Sequence, residues 1–412
     1  MKIVSIDVRI LRNSDFRRLW VSGAISGIGS WLLVVAIPVH VFQLTGSATA
    51  TGLTVALEAV PALIVGPWAG VLLDRWNLSR AMWLADLASA AAVALILFAD
   101  SADRIWLVYV AVLAENLATT VFRPAARALT PAVVGTGDEL AAANSLSAFS
   151  GSVIRLTTPP LGALLLTGPG ITFVLIVDIV SYLLSAAVIA SVSHRRLTPN
   201  PQAGKGFQAL REGLRGVVRN KILSGILIAN GVFLTANAGA TALLVPFTVE
   251  RLDAPGPTVG YLISGLGAGF LLGAALSPKA LTWLNIRDLL IVTQTAVGAA
   301  FFALFNAPTV PWAIAATALI GFPGSILLIT AETTVQRVAP TELLGRIGSL
   351  FFAMDSLTVV IGALTAPALT KLAGLPLTLN LIAAFAVLAA PVTFVAVPSH
   401  PAGLTRSRHY TV

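Results

Sequence analysis

The sequence contains no cysteine, which excludes disulfide scaffolds, thiolate metal sites and cysteine nucleophiles. Charged residues are scarce too, at 11% of 412 residues, whereas soluble globular chains average about 25%. Hydrophobic residues make up 57% of the chain, and a soluble fold of this size needs a more polar surface. These shortages indicate an integral membrane protein.

Long apolar runs fill the sequence instead. A helix that crosses a bilayer needs roughly 20 predominantly apolar residues. These runs are too long and uniform for a transmembrane β-barrel, whose strands alternate in polarity over about ten residues. The first run is too long for a cleavable signal. The sequence therefore predicts an all-α membrane protein with twelve transmembrane helices, at 17–44, 49–73, 80–99, 104–126, 139–167, 170–192, 221–249, 257–281, 287–305, 310–335, 346–370 and 376–397.

The basic residues predict the orientation. With the N-terminus in the cytoplasm, all but four of the 26 Lys and Arg residues fall on the cytoplasmic side. Arg104, Arg251 and Lys371 fall outside, and Arg155 lies within a span. This asymmetry follows the positive-inside rule, so we expect both chain ends in the cytoplasm and a bacterial-type cytoplasmic membrane. It also accounts for the formal charge of +8 without a nucleic-acid partner.

The chain resembles itself at a gap-free offset of 208 residues, at which Gly52 meets Gly260 and Pro159 meets Pro367. Since each half holds six spans, this offset predicts two pseudo-symmetric six-helix bundles of equal orientation, as in parallel-repeat transporters. We expect an N-terminal bundle, a cytoplasmic linker and a C-terminal bundle with a short cytoplasmic tail, at 1–192, 193–220 and 221–412. In the linker, Phe207, Leu210, Leu214 and Val218 form an apolar stripe beside Arg211, Arg215 and Arg219, which is typical of a helix at the membrane surface.

The loop after the second span reads Gly70-Val71-Leu72-Leu73-Asp74-Arg75 and then reaches Arg80. It resembles the Gly-x-x-x-Asp-Arg motif of the major facilitator superfamily, and the likeness covers essentially the whole chain. The segment from Phe122 to Pro131, with Asn144-Ser145-Leu146 and Gly345-Arg346, is similar to the branch containing macrolide-efflux proteins and the enterobactin exporter. The resemblance implies a cytoplasmic gate that includes Gly70, Asp74, Arg75, Arg80, Glu332 and Arg346.

The same resemblance implies a secondary active transporter that works by alternating access. It would export hydrophobic or amphipathic molecules, such as macrolide-type drugs or siderophores, in exchange for protons, and it would act as a monomer. Antiporters of the superfamily tend to carry Gly-Pro-x-x-Gly-Gly in the fifth span, and the segment from Thr158 to Ala163 matches one proline and one glycine of it. A lysolipid or lipid flippase and a nutrient uptake carrier of the same fold remain alternatives.

Charged residues inside spans need a partner or a purpose, because each costs about 2.5–3.5 kcal/mol at mid-bilayer. Glu115 and Arg155 both lie about 16 Å from the outer surface on neighbouring spans, and Asp178 is somewhat shallower. We expect Arg155 to bind one carboxylate while the other exchanges a proton; a structural salt bridge is the alternative. Glu58 and Asp355 are further candidates for proton exchange or for contact with a cationic substrate. The alternative is that each carboxylate only forms hydrogen bonds or extends to the membrane surface.

Asp86 is expected to pair with Arg80 or Arg75, and His40 to lie at the outer interface. Polar and aromatic residues on spans that line the central cavity of such transporters are candidates for substrate binding, although hydrogen bonds between helices would also explain the amides. These candidates are Trp31, Gln43, Asn116, Asn230, Phe233 and Asn237.

Motifs of catalysis are missing from the sequence. It has no GxxxxGK[ST], HExxH or GxSxG segment, and its four histidines show no metal-ligand spacing. We therefore expect no enzyme activity, no cofactor and no bound metal. The partners implied are a small-molecule substrate, protons and the lipid bilayer.

Overall fold

The computed structural model describes residues 8–73, 76–135, 137–192, 206–339 and 343–398. Helices dominate this part of the chain, which contains no β-strand. The first half is built from α1 (Ser14–Thr45), α2 (Ala48–Leu73), α3 (Leu78–Ile96), α4 (Ile105–Val134), α5 (Asp138–Thr167) and α6 (Ile171–Ala190).

A short helix, α7 (Gly206–Arg219), lies between the halves in the sequence. The second half is built from α8 (Lys221–Ala242), α9 (Leu244–Pro246), α10 (Val259–Trp283), α11 (Ile286–Phe305), α12 (Val310–Val338), α13 (Leu344–Ala373), α14 (Leu375–Val387) and α15 (Ala389–Ala396).

Local sequence explains where several helices begin and end. The side chain of Asn13 accepts hydrogen bonds from the backbone N–H groups of Asp15 and Phe16, both at 3.1 Å, and so caps the first turn of α1. Asn77 caps α3 in the same way. At the other end of α1, Gly46 has a φ of 59°, the left-handed conformation that ends a helix most readily at glycine. The predicted breaks between spans are therefore built from capping residues.

Eleven helical segments of the described residues are long and apolar enough to cross a membrane. The helix α5 has 30 residues but is not among these, because Ser, Thr, Gly and charged residues lower its hydropathy. The last predicted span is interrupted at Leu388 between α14 and α15. Pro391 lacks an N–H group and cannot donate to the carbonyl of Val387, which favours this break. With these adjustments, the predicted all-α architecture is confirmed.

Each half packs around its own core. In the first half α1 packs on α6, and α3 packs on α4 and α6, with residues such as Leu32, Val93 and Leu175 buried between them. In the second half α10 packs on α12 and α8 on α13, around residues that include Phe301 and Leu304. The helices thus form two bundles, since most large side chains pack within one half.

The two bundles meet through a pair of equivalent contacts. Gly52 on α2 packs against the carbonyl of Ala363 and the ring of Pro367 on α13. Gly260 on α10 packs against the carbonyl of Pro159 and the Cβ atom of Ala163 on α5. Gly260 and Pro367 follow Gly52 and Pro159 by the 208-residue offset, so the internal repeat becomes a pseudo-symmetric interface. A glycine is required at both places because a Cβ atom would overlap the facing helix.

A small apolar cluster closes one end of the interface. It joins Val35 and Val39 of α1 to Val245 and Val259 of the second half, and Val39 also lies against Gly256. These contacts lie at the end of the bundle away from the start of α1. Between the bundles, the cavity described below lies nearer the start of α1 than these contacts do.

The helix α7 packs on the beginning of α13. Gly213 lies against the backbone of Arg346, Gly216 lies against Ile347, and Val217 is buried. Arg346 also forms an ion pair with Glu212 of α7. The face of α7 that carries Gly213 and Gly216 therefore packs against α13. Leu214 and Val218 of the predicted apolar stripe are both exposed on α7. The side chains of Phe207 and Leu210 lie outside the described residues.

Candidate functional site

A cavity of about 930 Å³ lies between the two bundles. Helices α2 and α4 of the first half and α8, α12 and α13 of the second contribute its walls. The polar and charged lining residues are Glu58, Asn116, Thr119, Thr120, Arg123, Arg127, Asn230, Glu332, Gln336 and Asp355.

One face of α4 forms the polar wall of the first half. Asn116, Thr120, Arg123 and Arg127 follow one another at spacings of four, three and four residues, which places them on one side of a helix. The span predicted from the sequence ends at 126, and both arginines are counted there only among the basic residues of the cytoplasmic side. The helix continues through Pro124 to Val134, so the two guanidinium groups line the cavity. The helical spacing from Asn116 onward is the signal that could have revealed them.

The second half contributes carboxylates and aromatic rings. Asp355 on α13 and Glu332 on α12 line the cavity, and Phe351 and Phe352 lie on α13 one turn before Asp355. Asn230 on α8 completes this wall. In the part of the chain that the structure describes, neither carboxylate is in an ion pair.

Several predicted cavity residues lie elsewhere. Phe233 is buried in the core of the second half, and Asn237 is two turns further along α8, beyond the lining residues. Gln43 is exposed near the far end of α1. Trp31 stacks with Arg155, and neither residue is among those that line the cavity. Of the six residues predicted to line the cavity, only Asn116 and Asn230 do so. Spacing along a helix predicts which residues share a face, but it does not predict how far the cavity extends along that face.

Glu115 is held by a hydrogen-bonded group inside the first bundle. The hydroxyl of Tyr182 on α6 donates to Glu115 Oε1 at 2.7 Å, and the amide of Asn116 donates to Glu115 Oε2 at 3.1 Å. The Tyr182 hydroxyl is also 2.9 Å from Ser30 Oγ on α1. Because Asn116 lines the cavity, hydrogen bonds connect the cavity wall to the interior of the bundle through Glu115.

Asp178 lies one helical turn before Tyr182 and is fully buried. Ser181 Oγ donates a long hydrogen bond of 3.4 Å to Asp178 Oδ1, while Asp178 Oδ2 is buried without a hydrogen-bond partner. The carboxyl group packs directly against Gly29 of α1, where any larger residue would displace it. Glu58 and Asp178 both lie within electrostatic range of Glu115, so these three carboxyl groups interact inside the first bundle.

Arg155 does not bind a carboxylate in this conformation. Its guanidinium carbon lies 5.1 Å from the centre of the Trp31 ring, which is cation–π geometry. No ion pair joins it to Glu115 or Asp178 within the described residues. Arg155, Glu115 and Asp178 lie at similar depths along their helices. The rotation of α5 about its axis nevertheless directs the Arg155 side chain toward Trp31 of α1.

Asp86 and His40 have backbone or hydroxyl partners. Ser185 Oγ donates to Asp86 Oδ2 at 2.6 Å, and Asp86 is buried, whereas Arg80 is exposed. Of the two predicted partners of Asp86, Arg80 is therefore replaced by a neighbouring hydroxyl on α6, and Arg75 lies outside the described residues. His40 Nε2 lies 3.0 Å from the carbonyl of Ala99 near the predicted outer surface.

The residues predicted for the gate are only partly visible. Asp74 and Arg75 lie outside the described residues, and Gly70 is seen only as part of the α2 backbone. Arg80 is exposed in the first turn of α3, Glu332 lines the cavity, and Arg346 is paired with Glu212 of α7. No group of three or more His, Asp or Glu side chains that could hold a metal ion occurs among the residues described.

Comparison with known proteins identifies the family. A family model described as the Major Facilitator Superfamily matches residues 19–354. The enterobactin exporter EntS of Escherichia coli O1:K1 is 28% identical over 362 residues, covering 84% of this chain and 83% of that protein. YfiS of Bacillus subtilis (strain 168), an uncharacterised MFS-type transporter, is 23% identical over 356 residues, covering 84% of each protein.

Solved structures share the fold at lower identity. The nucleoside transporter NupG has a TM-score of 0.76 at 11% identity, over 93% of this chain and 98% of that one. A bacterial homologue of the iron transporter ferroportin, in an inward-facing state, has a TM-score of 0.74 at 11% identity, over 93% and 98%. These identities support the fold alone.

Proposed function

The chain belongs to the major facilitator superfamily, which is a transporter family and not an enzyme class, and we propose that it exports hydrophobic or amphipathic small molecules in exchange for protons. Drugs such as macrolides and siderophores are the proposed substrates, which would make the protein a multidrug efflux carrier that contributes to antibiotic resistance. The observation that carries the proposal is a polar cavity between two pseudo-symmetric bundles, connected by hydrogen bonds to the half-buried carboxyl group of Glu115.

The cavity supports alternating access. It is sealed at one end by the contacts of Gly52 and Gly260 and by the valine cluster around Val39. Small residues at such contacts let helices approach closely and separate again. Rocking of the two bundles about the cavity would open the sealed end and close the other.

Export is supported by the relatives. The enterobactin exporter matches this chain over 84% of its length at 28% identity. Apolar and aromatic lining residues, among them Phe351 and Phe352, suit an amphipathic substrate.

Proton coupling is proposed for the carboxyl groups of the first bundle. A buried carboxylate without a cation partner is costly, so taking up or losing a proton changes the free energy of the conformation that buries it. Asp178 has an unpaired buried oxygen, and Glu115 is linked to the cavity through Asn116. We assign the proton to Glu115 and Asp178, with Glu58 and Asp355 as groups that meet substrate. Arg155 is assigned to bind Glu115 in another conformation of the cycle.

The orientation and organisation proposed for the chain follow from the same reasoning. Basic residues concentrate at the end of the bundle where the cavity lies, so we place that end and both termini in the cytoplasm. The structure then corresponds to an inward-open conformation of a monomer in the cytoplasmic membrane. The bundles would comprise 1–192 and 221–412, joined by the linker at 193–220 that contains α7.

The test uses inside-out membrane vesicles with an acidic interior and an internal pH dye. A fluorescent amphipathic cation and then macrolides, tetracyclines and siderophores are added. Proton antiport makes the interior more alkaline only when a substrate is present. No response from folded protein across this panel would contradict export of these compounds and favour lipid transport or uptake.

Variants locate the coupling group. Glu115→Gln and Asp178→Asn are expected to abolish substrate-dependent alkalinisation while energy-independent exchange of substrate persists, because binding does not require the proton. Asp100→Asn, at an exposed carboxylate paired with Arg104 outside the cavity, is the matched control. Intact coupling in both bundle variants would exclude this cluster as the proton site, and intact coupling in Arg155→Ala would exclude a role for that arginine.

A further inference from the structure

Two pairs of opposite charge line the cavity on different bundles. Arg123 and Arg127 lie on the α4 wall, and Glu332 and Asp355 lie on α12 and α13. Both arginines are exposed within the cavity, and no ion pair holds any of the four in the described part of the chain. The second bundle thus contributes only carboxylates to the charged lining, whereas the first contributes both guanidinium groups and the carboxyl group of Glu58 on α2.

Orientation of the chain does not require this arrangement. The positive-inside rule is satisfied by basic residues at any position near the cytoplasmic ends, including lipid-facing and loop positions. Arg123 and Arg127 instead share a face with Asn116 and Thr120, and that face points into the cavity. Their place in the fold is that of binding groups.

Closure of the cavity raises the cost of leaving these charges unpaired. When water is expelled, an uncompensated guanidinium or carboxylate loses its hydration without replacement. A purely cationic ligand would compensate only the carboxylates, which are Glu58, Glu332 and Asp355, and a purely anionic ligand only Arg123 and Arg127. A ligand that carries both charges compensates both walls together.

We infer that this cavity binds dipolar amphiphiles, small molecules with an acidic group, a basic group and an aromatic or apolar body. Arg123 and Arg127 bind the acidic group, and two guanidinium groups one turn apart suit the two oxygens of a carboxylate. Glu332 and Asp355 bind the basic group. Phe351 and Phe352 pack on the body, and about 930 Å³ falls within the range of small-molecule sites.

This inference rests on the proposed export function and names its substrate class, and binding without a gradient tests it separately. The probes are rhodamine B, which carries a carboxylate and a cationic xanthene, its ethyl ester, which is only cationic, and fluorescein, which is only anionic. The full chain is placed in lipid nanodiscs, dye binding is followed by fluorescence anisotropy, and the signal of protein-free nanodiscs is subtracted.

Rhodamine B is expected to bind about tenfold more tightly than its ester or fluorescein, because each of those lacks one charge-assisted contact. Arg123→Gln and Arg127→Gln are each expected to weaken the binding of rhodamine B and of fluorescein by about tenfold. Neither variant should change the affinity for the ester. Glu332→Gln and Asp355→Asn should weaken the binding of rhodamine B and of the ester, and should leave the affinity for fluorescein unchanged. Arg104→Gln, paired with Asp100 outside the cavity, is the control.

Other results overturn the inference. If the ester binds as tightly as rhodamine B, the arginines do not bind an acidic group. If fluorescein binds as tightly as rhodamine B, the carboxylates do not bind a basic group. Unchanged affinities in all four variants would mean that the charges pair with each other when the cavity closes. Proton-driven export of the ester with no preference for rhodamine B overturns the substrate class alone, whereas tight binding of rhodamine B without export overturns the proposed coupling alone.

Discussion

At the scale of single residues, buried polar groups in this protein depend on small neighbours. Asp178 fits inside the first bundle because Gly29 on α1 has no side chain at the point where the carboxyl group packs. Tyr182 lies one turn further along α6 and binds Glu115. The polar face of α6 is therefore positioned by the surface of α1, and changes at that surface should act on the proposed proton site.

Gly29→Ala is expected to lower the stability of the protein by about 1–3 kcal/mol, since the new methyl group would overlap Asp178 Oδ1 and Ser181 Oγ. The melting temperature of the purified protein, followed by intrinsic tryptophan fluorescence, measures the effect. Gly23→Ala is the control on the same helix, because nothing lies within 4 Å of its added Cβ atom. Equal melting temperatures for the two variants would show that α6 does not pack on Gly29 as described.

At the scale of helices, α7 is connected to the second bundle by close packing more than by charge. Gly213 lies against the backbone of Arg346, whereas the ion pair between Glu212 and Arg346 is partly exposed. Exposed ion pairs contribute about 0–1 kcal/mol, so the glycine contact should dominate. The linker helix would then move with α13 during transport.

Gly213→Ala is expected to release α7 and to raise hydrogen exchange of its backbone amides more than Glu212→Gln does. The reason is that the added Cβ atom meets the rigid backbone of Arg346, while the second variant removes only one solvent-screened pair. Gly216→Ala is the matched control, since its Cβ atom meets only the side-chain tips of Leu343 and Ile347. Mass spectrometry of exchanged peptides measures this, and a larger effect of Glu212→Gln would contradict the packing argument.

At the scale of the whole molecule, the internal repeat places equivalent contacts on two sides of one interface. Gly52 on Pro367 and Gly260 on Pro159 both close the end opposite the cavity. Since the two contacts are pseudo-symmetric, they should contribute similarly to the stability of the closed end. The conformational equilibrium of the transporter would then respond to either of them.

Gly52→Ala and Gly260→Ala are each expected to shift the protein away from the cavity-open state, because the added methyl group costs about 1–3 kcal/mol at the closed end. The chain has no cysteine, so a single Gly348→Cys in the cavity wall reports accessibility to an impermeant maleimide in inside-out vesicles. Both variants should slow labelling by a similar factor. Gly231→Ala, with its nearest neighbour at 3.8 Å, is the control. Labelling slowed in one variant only would disprove the equivalence.

The sequence by itself determined the class of protein, the approximate bounds of its helices and its internal repeat. These follow from local properties, since a bilayer sets the length of apolar runs and capping residues such as Asn13 and Gly46 set the helix ends. The tertiary structure decided which candidates meet. It directs Arg155 to Trp31, buries Phe233 in a core and extends α4 so that Arg123 and Arg127 enter the cavity. Such outcomes depend on the rotation and depth of each helix relative to its neighbours, and those quantities are fixed by packing across the bundle and not by spacing along one helix.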